Sequence, residues 1–284
     1  MKVRGVPMKE GDAQFLKEFE ILRFRHSEWH TADDVIAREE PLEVRLNGRS
    51  LAFLMRLPGD DILLAVGYCL SEGLITDRSQ IDLVRHCTDP EGQPGGASQA
   101  GPGNLVEVMA GSAAGVERFG EARIIRTGCG GADLDSEVDL ESIAVETETR
   151  FDAAVLAGVP DRLLEEQEVF KVSGGTHGAG LFDTSGGMLV VKEDVGRHNA
   201  VDKVLGFMLM AGESPSDKGL MLSGRLSYEM VLKAARAGLP LVCSISAPTA
   251  LGVEVGKKTG VTLVGFLRDG NFNVYSHTER IGPA

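Results

Sequence analysis

No two of the four cysteines, Cys69, Cys87, Cys129 and Cys243, are spaced as Cys-x-x-Cys. Neither a zinc knuckle nor a disulfide framework is supported, and any special cysteine acts as a single thiol. No apolar run reaches the length of a membrane span. The segment from Phe15 to His30 is mixed and charged, with no apolar signal core, so the expectation is a cytoplasmic protein. Positive charge is scarce: 29 Lys and Arg stand against 42 Asp and Glu, a net charge of -13. Such a chain repels phosphate backbones at long range, which argues against a general nucleic-acid binder and leaves room for a small anion in a local basic pocket. There is no P-loop and no Gly-x-Gly-x-x-Gly, so ordinary ATP or NAD use is not supported. Ser223 lacks the Gly-x-Ser-x-Gly elbow of a serine nucleophile. No internal repeat is present.

What is there is a globular composition, 43% hydrophobic and 25% charged, over 284 residues. That length suffices for a large core and two domains. Residues 1–37 read as an extension, with some helical character over 1–30. Residues 38–126 read as a small α+β domain. Its clearest elements are a hairpin, Leu42/Val44/Leu46 and Leu51/Phe53/Met55 around Asn47-Gly48, and a helix from Ile62 to Ser71. Thr88 to Asn104, with five glycines and three prolines, is a loop between strands near Ile81–His86 and Leu105–Met109. Residues 127–150 form a Gly-rich cysteine loop and an acidic linker. From 151 to 284 strands alternate with helices, which predicts a largely parallel sheet covered by helices, an α/β domain.

The densest chemistry lies in Glu193-Asp194-Val195-Gly196-Arg197-His198-Asn199-Ala200-Val201-Asp202-Lys203, between an apolar strand and a helix. A capped helix start, with Asn199 as N-cap, is the structural alternative to a ligand site. The turns at Glu193–Asn199, Ser223–Arg225 and Ser246–Thr249 are predicted to share one sheet edge, with helix N-termini and Arg197, His198, Lys203 and Arg225 facing a crevice. That set suits phosphate or pyrophosphate. Arg225 could instead pair with Glu229, His177 could be a turn residue, and Ser223 and Ser246 could be simple caps. Separately, Cys129 sits among glycines that cannot bury it, unlike Cys69 and Cys243 in apolar runs; an accessible thiol reacts as the thiolate.

Together these stretches resemble the formate dehydrogenase accessory sulfurtransferase family, FdhD type. The resemblance is carried by Glu39-Glu40-Pro41-Leu42, Arg56-Leu57-Pro58-Gly59-Asp60-Asp61, Ser71-Glu72-Gly73-Leu74-Ile75 and Thr127-Gly128-Cys129-Gly130. Gly174-Gly175-Thr176-His177, the Glu193–Lys203 run, Ser223-Gly224-Arg225, Ser246-Ala247-Pro248-Thr249 and Gly265-Phe266 complete it, over about residues 38–278. The resemblance implies a C-terminal three-layer α/β domain like the cytidine deaminase fold, and a homodimer. It implies a carrier that takes sulfur from a cysteine desulfurase as a persulfide on Cys129. The sulfur passes to the molybdenum bis(molybdopterin guanine dinucleotide) cofactor of formate dehydrogenase, with no resident metal. Phe266, Leu267, Arg268, Asp269, Gly270 and Asn271 align with a stretch assigned to that cofactor. With Gly175, His177, Asp194, Arg197, His198, Asn199, Ser223, Gly224, Arg225 and Ser246 they make the expected cofactor site. The family often has a second loop cysteine where this chain has Ala132, which rules out a disulfide relay within the loop. A non-catalytic cofactor chaperone for formate dehydrogenase is the alternative. A zinc deaminase, which needs a Cys-x-x-Cys set, ranks last.

Overall fold

The computed structural model describes residues 11–87, 98, 100–101, 103–111 and 138–282, and the backbone of 123–125. Most of the predicted Thr88–Asn104 loop lies outside these residues, as does the segment around Cys129.

The described chain opens with strands β1 (Leu16–Arg25) and β2 (Glu28–Ala37), which pair with each other alone. This corrects the helical reading of the extension. Charged residues alternate with Phe19 and Ile21 and then, on the opposite face, with Leu22 and Phe24, two short runs of period two. His26 and Ser27, at φ 48° and 67°, supply the left-handed pair that a two-residue hairpin turn demands.

β3 (Glu40–Leu46) and β4 (Arg49–Arg56) form the predicted hairpin, with Asn47 and Gly48 at φ 51° and 79°. The Asn47 side chain bonds both backbone groups of Ala110, which ties the turn to a neighbouring strand. α1 (Asp61–Ser71), β5 (Ile81–His86), β6 (Leu105–Ala110) and β7 (Arg123–Ile125) complete this half. Its five-stranded sheet runs β5-β6-β3-β4-β7.

The second half contains β8 (Phe151–Asp152), α2 (Ala153–Ala157), α3 (Val159–Glu166), α4 (Glu168–Ser173), β9 (His177–Asp183), β10 (Met188–Asp194) and α5 (Arg197–Ala211). Then come β11 (Lys218–Leu222), α6 (Tyr228–Arg236), β12 (Leu241–Ser244), α7 (Ala250–Thr259), β13 (Thr262–Arg268), β14 (Asn271–Ser276) and β15 (Ile281–Gly282). The six-stranded sheet has the order β10-β9-β11-β12-β13-β14. Only β11–β12 and β12–β13 are parallel pairs; β9 runs against both its neighbours and β14 runs against β13. The largely parallel expectation failed because β9 and β10 form a tight hairpin that no helix separates.

Alternation along these strands sorts side chains to two faces. Leu181, Leu220, Leu222, Val242 and Leu263 pack with α5, α6 and α7 residues such as Val204, Met230 and Val255. Phe182, Met221, Cys243 and Val264 pack on the other face with Leu156 of α2 and Leu163 of α3. The sheet is therefore covered on both sides. The first of these cores also contains Leu42, Leu64 and Leu70, so the two halves share one apolar interior. Among the described residues no helix is long and apolar enough to cross a membrane.

Candidate functional site

The three predicted turns do share one edge. β10 is antiparallel to β9, and β9 to β11, so β10 ends on the same side as β11, and His177 at the start of β9 lies between them. Hydrogen bonds link the turns in sequence along that edge. Ser223 N–H donates to Gly178 O at 2.9 Å. Gly178 N–H donates to Ser223 Oγ at 3.0 Å, and Ser244 Oγ to Gly224 O at 2.5 Å. Leu226 N–H reaches Ala247 O at 3.1 Å, and Phe266 N–H reaches Ser246 O at 3.0 Å. One rim therefore carries His177, Arg197, His198, Ser223, Gly224, Arg225, Ser246 and Phe266.

Charge at the rim is unbalanced in favour of cations. Neither Arg197 nor Arg225 has a carboxylate partner among the described residues, and Arg197 Nε is buried without a hydrogen bond. Arg225 is exposed. The Arg225–Glu229 pair considered from the sequence does not form; Glu229 Oε2 instead lies 2.6 Å from His198 Nε2. Gly224 has a reason to be glycine: a Cβ there would sit 3.3 Å from Arg197 Cδ and 3.8 Å from His177 Nδ1. Burial, with the nearby charges of Arg197 and His198, pulls the His177 pKa below that of a free imidazole. His177 is therefore a neutral ring at pH 7, and its Nδ1 is 3.2 Å from Ser223 Oγ.

Two expected cofactor residues are placed differently. Asp194 is 0% exposed, and its carboxylate accepts from Leu57 N–H, Gly196 N–H and Asn199 Nδ2 at 3.1, 2.9 and 3.0 Å. It also pairs with Lys203 at 2.8 Å. Asn199 is not an N-cap: α5 starts at Arg197, and the Asn199 amide donates to Met55 O at 2.7 Å. Lys203 donates to Leu57 O and Glu193 O at 3.0 and 3.2 Å. Asp194, Asn199 and Lys203 thus clamp the 55–57 backbone of the first half to the second. Arg197 and His198, the first two residues of α5, stay at the rim. Glu193 accepts from Val169 and Phe170 N–H, both at 2.8 Å, and so starts α4 as a helix separate from α3.

At the far end of the rim, Phe266, Arg268, Asp269 and Asn271 line a depression of about 390 Å³ together with Phe272 and Asn273. Leu267 faces the core instead, and Gly270 forms the turn at φ 73°. Phe266 itself holds φ 54°, an uncommon conformation for an aromatic residue, at an irregularity where β13 and β14 fall out of register. Gly175 is exposed and lies against Ala37 at the base of the β1–β2 hairpin. The sequence reading missed Glu229, Phe272 and Asn273. Glu229 had a plausible partner four residues away, and the other two acquire their place only from strand pairing.

Cys129 lies outside the described residues. The other three cysteines are buried. Burial pushes the thiols of Cys69 and Cys243 far above the usual cysteine range.

The FdhD/NarQ family model matches residues 37–282. A protein of Sulfurisphaera tokodaii named sulfur carrier protein FdhD is 38% identical over 270 residues, covering 94% of this chain and 99% of that protein. Its namesake in Streptomyces coelicolor is 38% identical over 271 residues, covering 92% of this chain and 94% of that one. A crystal structure from Desulfotalea psychrophila, described as a formate dehydrogenase accessory protein, superposes with a TM-score of 0.73. It is 27% identical and covers 94% of this chain and 100% of that one.

Proposed function

The chain belongs to the FdhD/NarQ family, and from that membership and the rim geometry we propose that it is a sulfur carrier in formate dehydrogenase maturation. Its thiol is Cys129. The observation that carries this choice is elimination: Cys69, Cys87 and Cys243 are all buried, at 0%, 5% and 0% exposure, where neither a donor protein nor a cofactor reaches them. The Cys129 thiolate attacks the outer sulfur of a persulfide on a cysteine desulfurase. The donor leaves as its thiol, and Cys129 becomes the persulfide. Delivery of the outer sulfur as a neutral atom returns Cys129 to the thiolate, and the acceptor supplies the two electrons of its new bond to sulfur.

The acceptor on this reading is the molybdenum bis(molybdopterin guanine dinucleotide) cofactor, bound as substrate along the rim. Arg197 and Arg225, with the N-terminus of α5, suit its pyrophosphate groups. Phe266 offers a stacking face to a guanine. The Asp269 carboxylate accepts from guanine N–H groups, which an adenine does not present in the same pattern. The formate dehydrogenase apoenzyme is the client, the protein acts in the cytoplasm as a homodimer, and the C-terminal half is a deaminase-like scaffold without deaminase chemistry.

The test is intact mass after incubation with a cysteine desulfurase and cysteine. A reductant-sensitive gain of one sulfur in the parent, absent from Cys129→Ala, is the expected result. No gain in the parent, with the desulfurase active, leaves the non-catalytic cofactor chaperone in its place.

A further inference from the structure

The two rim histidines each have one ring nitrogen held by the protein and one without a partner among the described residues. For His198 the held nitrogen is Nε2, 2.6 Å from Glu229 Oε2 in the first turn of α6. Both side chains are largely buried, at 13% and 21% exposure. A carboxylate only accepts, so Nε2 carries a proton, and in the neutral ring Nδ1 is left with a lone pair. For His177 the held nitrogen is Nδ1, 3.2 Å from Ser223 Oγ. That hydroxyl also accepts from Gly178 N–H at 3.0 Å and keeps a second lone pair and its own proton, so it serves either tautomer of His177 and leaves Nε2 toward the rim. The charges that act on His177 are those of Arg197, His198 and Asp194, and the carboxylate that faces His198 is Glu229.

We propose that Glu229 is a positioning residue of the rim, fixing the ring and tautomer of His198 so that Nδ1 is offered to a bound ligand. In the neutral ring His198 Nδ1 then accepts from the ligand. Beside Arg197 and Arg225, which have no carboxylate partner among the described residues, that nitrogen fits a phosphorylated ligand that also presents an O–H donor, such as a ribose hydroxyl of a nucleotide. The inference rests on the nucleotide-phosphate reading and adds a residue and a tautomer to it. It uses the same logic as a carboxylate that orients a catalytic or metal-binding imidazole through its far nitrogen.

Two readouts test it. Ring-nitrogen NMR at about pH 8, where free imidazole is neutral, is expected to report His198 as the Nε2–H tautomer in the parent and in Glu229→Gln. In Glu229→Ala the two tautomers are expected to mix, with His198→Asn giving the assignment. Glu229→Leu replaces the alanine variant if that one does not fold. Titration calorimetry with GDP is expected to give about tenfold weaker binding in Glu229→Ala and in His198→Asn, with no further loss in the double variant. Glu229→Gln, which still accepts from Nε2, is expected to stay within about twofold of the parent. An unchanged His198 tautomer in Glu229→Ala, or losses that multiply in the double variant, overturns the proposal. A parent protein that ignores GDP refutes the nucleotide-phosphate reading instead, and the ring spectra still decide whether Glu229 positions His198.

Discussion

His177 couples the rim to pH. Its pKa is pulled down by burial and by the charges of Arg197 and His198. A base with a depressed folded pKa contributes stability that is complete above its unfolded value, near 6.5, and is lost as pH falls through the folded value. Unfolding free energy is therefore expected to decline more steeply below pH 6.5 in the parent than in His177→Gln, measured by urea denaturation at a series of pH values. At the ligand, base and phosphate contacts are separable. Phe266→Ala is expected to weaken GDP binding about tenfold and leave pyrophosphate binding unchanged, whereas Arg225→Gln weakens both by about tenfold; calorimetry with the two ligands distinguishes them. Much of this was legible in the residues: Arg197, His198, Ser223, Gly224 and Arg225 do meet at one rim. Asp194 and Asn199 belong to the same polar run but lie inward, bonded to backbone groups well over a hundred positions away, such as Leu57 and Met55. A sequence lists polar residues at a strand-to-helix junction without saying which way the helix turns each of them.

At the scale of elements, α1 and α5 cross at two glycines. A Cβ on Gly67 would fall 1.7 Å from Asp202 O, and one on Gly206 would fall 1.9 Å from Leu63 O. Backbone meets backbone there, so no side-chain rotation relieves an added methyl. Gly206→Ala is expected to cost about 3 kcal/mol, the upper end of overpacking penalties, read as a lower urea midpoint. Both glycines sit inside helices, where propensity alone disfavours them. Elements whose cause is local were readable: the Asn47-Gly48 hairpin, α1, and α6 closing at Gly238 all stand where their turn residues put them. Elements whose cause is distant were not. His26-Ser27 has no glycine to advertise a hairpin, and α3 ends before α4 because Glu193, on another strand, captures the Val169 and Phe170 N–H groups.

At the scale of the molecule, the two halves are joined by buried charge as well as by apolar packing. Asp194 and Lys203, 0% and 1% exposed, pair with each other and bond the Leu57 backbone, while Asn199 bonds Met55 O. Asp202 and Lys233 make a second buried pair that reaches Ser71 on α1. Removing one partner of such a pair strands the other: Lys203→Met is expected to cost about 3–5 kcal/mol by chemical denaturation, and adding Asp194→Asn is expected to recover part of it. This clamp sets the rim relative to the first half. The central claim is that a thiol carrier and a nucleotide rim act in series on one cofactor. The most direct measurement loads Cys129 with radiolabelled sulfur, adds the guanine dinucleotide cofactor, and follows label on the protein. The account expects label to leave the parent and to persist on an Arg197→Gln/Arg225→Gln protein that loads equally well. Equal release from both would contradict it.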